Sequence, residues 1–272
     1  MRLISVLLAL LMVVAGGSLA RAQDRAPASD LGGILSRGVL RVALPAFDSP
    51  PFFETRDGDV AGFDIDIARR IAAELGVDVE FLRGAASFNE VVDVVARGEA
   101  DIAVCKLSRT LPRARRVIFT RPYVLLKHAL VLNRIRFAEI AQGRDAPVVL
   151  RDYRGSLAVI ADSAFAEFAR RNFPKAEIQA FPDWDSVLAA VRSGRVAAAY
   201  RDELEIKRML VEHASASLML RTVTLGDLTD SISMAVPASS PHFAAWLDLF
   251  IADRIGTSTV DAVLGRSERA AH

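Results

Sequence analysis

The chain has 272 residues, 52% of them hydrophobic, and its 34 Lys and Arg against 33 Asp and Glu leave a formal charge of +1. That balance gives no electrostatic footprint for nucleic acid, and a single cysteine, Cys105, excludes an intramolecular disulfide and any multi-cysteine metal site. The four histidines stand far apart without HExxH spacing, no phosphate loop appears, and no metal or cofactor is expected.

At the start of the chain, Arg2 precedes an apolar stretch over residues 3–15, and Ala20, Arg21 and Ala22 have the small-x-small form of a cleavage site. A membrane span needs about 20 apolar residues, and this run is shorter. Residues 1–22 therefore read as a cleaved signal peptide, with no cysteine placed for lipid attachment, and the mature chain as soluble outside the cytoplasm. Residues 23–37 read as an N-terminal extension.

Beyond it the apolar residues alternate between strand-like and helix-like periods, the pattern of an α/β protein. Residues 39–44 predict a strand. Residues 64–75 predict a helix with Ile67, Ile71 and Leu75 on one stripe and Gly76 placed to end it. A strand is expected over 77–81, and Ser87, Phe88, Asn89 and Glu90 form a capping box for a helix running through residue 96. Gly98 stops that helix before a strand over 101–105. The pattern then begins again, with strands over 157–161, 178–181 and 196–200, and helices over 163–173, 185–192 and 203–211. A return strand over 231–236 and closing helices over 241–254 and 258–264 complete the chain. The stretch 133–153 is rich in charge and short of periodicity. Hinge connections are placed near 128–132 and 230–235, which divides the chain into one lobe of 38–130 and 231–272 and a second of 131–230.

Two stretches carry chemistry. Gly62, Phe63, Asp64, Ile65 and Asp66 open a helix; Ser108, Arg109, Thr110, Leu111, Pro112 and Arg113 run on to Phe119, Thr120, Arg121, Pro122 and Tyr123. An arginine fork beside a helix N-terminus is a receptor for a small carboxylate, because fixed donors and the helix dipole both favour an anion. Capture of a ligand follows more readily than catalysis.

These motifs, with Asp101, Ile102, Ala103 and Val104 and the later Tyr200, Arg201 and Asp202, resemble the periplasmic solute-binding proteins of polar amino acid ABC importers, which are family 3 extracellular solute-binding proteins with the type II periplasmic fold. The resemblance covers nearly all of the mature chain. It implies two Rossmann-like α/β lobes joined by two hinge strands, a periplasmic monomer, an amino acid or related small carboxylate as ligand, and a membrane permease as partner. By the same resemblance Arg113 clamps the ligand carboxylate with Thr110 assisting, and Ser108 and Asp202 receive an ammonium. Ser163 and Ala164 offer backbone N–H groups, and Phe88 and Phe47 pack on the aliphatic part. Each has a plainer role available: Asp202 as a helix cap, Phe88 as a hydrophobic staple, Ser108 as a turn hydroxyl.

Lys106 departs from the family pattern, which has a small residue there. Two unit positive charges about 4 Å apart repel by about 4 kcal/mol at an effective dielectric of ~20. Three resolutions stay open: Lys106 turns to a carboxylate such as Asp202 or Glu203, the ligand carries an extra acid, or it lacks an ammonium. Some exported proteins of this fold are dehydratases acting on prephenate-like acids. For that chemistry the candidate proton donors are Asp48, Glu90 and Glu203. A sensor subunit presenting its closed lobes to a membrane protein is a third reading.

Overall fold

The computed structural model describes residues 30–212 and 218–264, so the leader read over 1–22 and the chain's final residues lie outside the described part. A short helix α1 (Leu31–Arg37) leads into β1 (Val39–Pro45). There follow β2 (Glu54–Arg56), β3 (Asp59–Ala61), α2 (Phe63–Leu75), β4 (Asp78–Ala85), α3 (Phe88–Ala96), β5 (Ile102–Ala103), α4 (Leu111–Ala114) and β6 (Val117–Phe119). The next stretch holds β7 (Val124–Asn133), α5 (Arg134–Ala141), α6 (Ala146–Arg151), β8 (Ser156–Ile160), α7 (Ala164–Asn172), β9 (Glu177–Phe181), α8 (Trp184–Arg192), β10 (Ala198–Asp202) and α9 (Glu203–Glu212). Then come β11 (Leu220–Ile232), β12 (Ala235–Pro237) and α10 (Pro241–Phe250), which runs into a π-helical turn over Ile251–Ile255.

Local chemistry explains the helix starts. Ser87 Oγ accepts from the Glu90 N–H at 3.1 Å, Ser163 Oγ from Ala166 N–H at 3.2 Å, and Asp183 Oδ1 from Ser186 N–H at 2.7 Å, each satisfying a donor that the first turn leaves without an intrahelical partner. Among the described residues β2 and β3 pair with each other, and the other ten strands form two five-stranded sheets of matching build. In the first the order is β4-β1-β5-β12-β6, and in the second β9-β8-β10-β7-β11. Each has three parallel strands followed by an antiparallel one. One apolar cluster packs around the first sheet, with Ile34, Val42, Ile71, Val92 and Phe243 in it. The second sheet is covered by two clusters, one around Phe137, Phe165 and Tyr200 and one around Val131, Val187 and Ile206.

Two segments join the sheets, between β6 and β7 and between β11 and β12. They run side by side, because Val124 pairs antiparallel with Ile232. The first crossing therefore lies upstream of residues 128–132, which sit within β7. β7 is a mostly buried strand that continues without a break through 128–132, so no local signal marks where the sheet is entered. The stretch 133–153 folds into two short helices, and β11 begins at Leu220, well before the return strand expected from residue 231. In the N-terminal segment, α1 buries Leu31 and Ile34 in the first core.

The Gly62–Asp66 motif has a structural part. Gly62 adopts φ +126°, and a Cβ there would stand 2.5 Å from the carbonyl oxygen of Phe52, so only glycine fits. The carboxylate that follows it, Asp64, is fully buried. It accepts the Tyr123 O–H at 2.9 Å and the Lys106 N–H at 2.6 Å. The motif thus fastens the start of α2 to the Pro122–Tyr123 turn and to the segment after β5. Burial pushes the Asp64 carboxyl up to about 7 against those two hydrogen bonds.

Candidate functional site

The segment after β5 is held against the second crossing by backbone bonds, Arg109 N–H to Ser231 O at 3.1 Å and Ser233 N–H to Leu107 O at 3.0 Å. That brings Lys106 and Ser108 beside Asp230 near the end of β11. With Phe88 and Arg113 from the first sheet's elements, and Ser163, Ala164, Phe165, Arg201 and Asp202 from the second's, they line a small cavity of about 30 Å³. A wider cleft of about 420 Å³ shares the walls Phe88, Arg113, Ser163 and Arg201 and adds Phe47, Asp48 and Trp184.

Arg113 is 5% exposed. Its Nε donates to Asn89 Oδ1 at 2.9 Å and its Nη1 to Ser108 O at 3.0 Å, which fixes the plane of the guanidinium. Burial draws the group below its ordinary pKa, while Asp230 and Glu167 oppose that shift. Asn89 also reaches across to the second sheet, donating from Nδ2 to Asp162 O at 2.7 Å at the entry to α7. Ser163 caps that helix, and Ala164 and Phe165 line the cavity at its first turn.

Lys106 settles the question its charge raised. Its Nζ donates to Glu205 Oε1 at 2.8 Å and stands 3.2 Å from Asp202 Oδ2, so it pairs with Asp202 and with Glu205 in place of Glu203. Phe52 lies under the ammonium, 5.4 Å from Nζ to the ring centroid. Asp202 also caps α9, accepting from Glu205 N–H at 3.1 Å. Burial by itself would raise the Glu205 carboxyl, but Lys106, Arg201 and Arg208 outweigh it and hold the group well below the usual carboxylate range.

Asp230, Glu205 and Arg201 were not among the site residues expected from the sequence. Asp230 is 1% exposed; Ser108 Oγ donates to its Oδ2 at 2.8 Å, and Oδ1 is buried without a hydrogen-bond partner. Burial pushes this carboxyl up to about 7, against the Ser108 bond and helped by the nearby Asp202. The signal was available: Asp230 lies two residues before buried Ile232, on the inward face of a strand, where an acid needs a reason. Arg201 lies over Phe165 and Trp184, and its buried Nε makes no hydrogen bond, 3.7 Å from Asp202 Oδ2.

Thr110 caps the short helix α4 that carries Arg113, accepting from the Arg113 N–H, and it borders a separate groove with Glu167, to whose Oε1 it donates at 3.5 Å. Phe47 borders the wider cleft and meets Phe88 edge to face at 5.4 Å between centroids. The acids weighed as proton donors have partners of their own: Asp48, in the wall of the wider cleft, pairs with Arg83, Glu90 accepts from Ala86 N–H and Glu203 from Lys127 N–H. His128 is buried against Phe165, Phe168 and Tyr200, and burial lowers it to about 4, so it stays neutral near pH 7. Burial pushes the Cys105 thiol up, which leaves it an inert packing group. No helix among the described residues is long and apolar enough to cross a membrane, and none of their acidic, histidine or cysteine side chains cluster to hold a metal ion.

Two α/β lobes with a buried arginine and a helix N-terminus converging on one cleft define a solute-binding architecture. The chain matches the model of bacterial extracellular solute-binding proteins, family 3, over residues 40–264, and it belongs to that family. It is 31% identical to the cyclohexadienyl dehydratase of Pseudomonas aeruginosa over 193 residues, covering 70% of this chain and 68% of the dehydratase. It is 32% identical to a membrane-bound lytic murein transglycosylase F of Alkalilimnicola ehrlichii over 151 residues, where the match takes in 55% of this chain but spans only 28% of the relative's length. Among solved structures it resembles an ancestral amino acid-binding protein described as a precursor of cyclohexadienyl dehydratase. There the TM-score is 0.62 at 25% identity, covering 82% of this chain and 91% of that one.

Two outcomes follow from the buried charges. Lys106→Met leaves Asp202 and Glu205 without their shared cation and lowers stability by about 3–5 kcal/mol in urea unfolding. For Asp230 the folded state holds its proton more tightly than the unfolded chain, so its stabilising contribution is full at about pH 4 and is lost as pH rises through about 7. Asp230→Asn flattens the fall in stability between pH 5 and 7 by up to about 1.4 kcal/mol per pH unit, read from urea midpoints at each pH; Asp64 retains its own share of the slope.

Proposed function

We propose that this chain is an extracytoplasmic solute-binding protein of an ABC importer, exported to the periplasm by a cleaved signal peptide, that captures an amino acid or related small carboxylate between its lobes as a monomer and delivers it to a membrane permease. The observation that carries the reading is Arg113: a buried guanidinium, fixed by Asn89 and Ser108, that lines the cavity with the first turn of α7. Such a fork gives a carboxylate charge-assisted hydrogen bonds worth about 1.5–3 kcal/mol each, and micromolar affinity requires about 8 kcal/mol. Phe88, with Phe47 against it, supplies the apolar wall. The amino acid-binding ancestral relative supports this ligand class. A thermal-shift screen against amino acids, dicarboxylates and keto acids identifies the ligand by a raised melting temperature of the wild type. Arg113→Ala then weakens its binding roughly a hundredfold in calorimetry; an equal affinity in the two proteins defeats the assignment.

A dehydratase is the second reading, favoured by the match to cyclohexadienyl dehydratase and by Asp230, a buried acid beside the cavity whose carboxyl burial raises to about 7, so that both its protonated and its charged form are within reach near neutral pH. Expulsion of a hydroxyl group as water needs such a donor. Mass spectrometry of prephenate-like acids incubated with the protein separates the two: an unchanged substrate mass is expected of a binder, and loss of water together with carbon dioxide marks an enzyme.

A further inference from the structure

The three carboxylates near the cavity are not equivalent. Asp202 and Glu205 share Lys106 Nζ at 3.2 and 2.8 Å, and arginines stand by them as well, Arg201 3.7 Å from Asp202 and Arg208 3.1 Å from Glu205. Their charge is compensated from within the chain. Lys106 reaches them from a backbone at φ +53°, a left-handed conformation uncommon for a residue with a side chain, and Asp64 holds its N–H in place. A cation arriving at Asp202 would meet that ammonium at close range.

Asp230 stands apart. Among the described residues only Ser108 bonds it, at Oδ2, while the buried Oδ1 makes no hydrogen bond, and the residue shares the cavity wall with Arg113. A buried acceptor without a donor is costly, and a ligand that brings one removes the cost. We propose that Asp230, in place of Asp202, receives the hydrogen-bond donor of a carboxylate ligand, either a hydroxyl or an ammonium on the carbon next to the group that Arg113 holds. The inference rests on the reading of the cavity as a carboxylate site. Lys106 does at Asp202 what a ligand ammonium would otherwise do.

Matched triples of 2-hydroxy, 2-amino and 2-keto acids, with short, branched, acidic and aromatic side chains, test this by calorimetry. The keto acid keeps the carboxylate but has no donor at that carbon. In the triple that binds wild type, a donor-bearing member is expected to bind at least tenfold more tightly than the keto acid. Asp230→Ala should remove that advantage and leave the keto acid affinity within threefold, which also reports that the variant is folded; Asp230→Val, suited to a buried strand position, takes its place if the alanine variant does not fold. Asp230→Asn distinguishes the donors, since it keeps an acceptor for a hydroxyl but loses the charge that favours an ammonium. A donor advantage that survives Asp230→Ala or Asp230→Val overturns the proposal. So does equal wild-type binding of all three members, and in that case carboxylate capture stands as long as Arg113→Ala abolishes it. A wild type that binds no member of the panel overturns both.

Discussion

The arrangement of this cleft depends on one buried ion cluster, Lys106 with Asp202 and Glu205. The lysine belongs to the segment after β5 in the first sheet, and the two acids end β10 and begin α9 in the second. All three side chains are nearly inaccessible to water, so each charge has given up its hydration and depends on the others. Such a cluster contributes little net stability compared with apolar packing, but it tolerates only one alignment of its parts. The constraint runs further: Asp64 fixes the Lys106 backbone, Tyr123 fixes Asp64, and Gly62 allows the close approach of α2 to the Phe52 segment that makes the contact possible.

Within that frame the polar groups that line the cavity are fixed by bonds within the chain. Asn89 uses both ends of its amide, its oxygen orienting Arg113 and its nitrogen grasping the carbonyl of Asp162 on the facing sheet. Preorganisation of this kind reduces the ordering cost of association, so more of the interaction energy appears as affinity. The small size of the inner cavity, about 30 Å³, says that the two sheets already meet closely around these groups.

Sequence reasoning succeeded where the causes are local. The helix at Ser87 and Glu90 and the stop at Gly76 follow from spacing within a few residues, whereas Arg113 was reached through the family resemblance and lines the cavity. It fell short where partners are distant. The Ser108–Asp230 bond joins residues 122 apart and the Lys106–Glu205 bond residues 99 apart, so no window of periodicity contains either pair. The direction of Lys106 was undetermined for the same reason, since it follows from a left-handed backbone held by Asp64, 42 residues earlier. Thr110 illustrates the converse: it lies three residues from Arg113, but its side chain points to a different groove.

The side-by-side crossings have a mechanical consequence. Two adjacent chain paths, paired where Val124 meets Ile232, act like a pair of door pins set close together, so any swing of one half against the other turns about a line through them. Displacement grows with distance from that line. Asp230 sits two residues from the paired position, so such a swing would move it little. Were the halves to close on a molecule, Asp230 would stay nearly in place while walls farther from that line moved toward it.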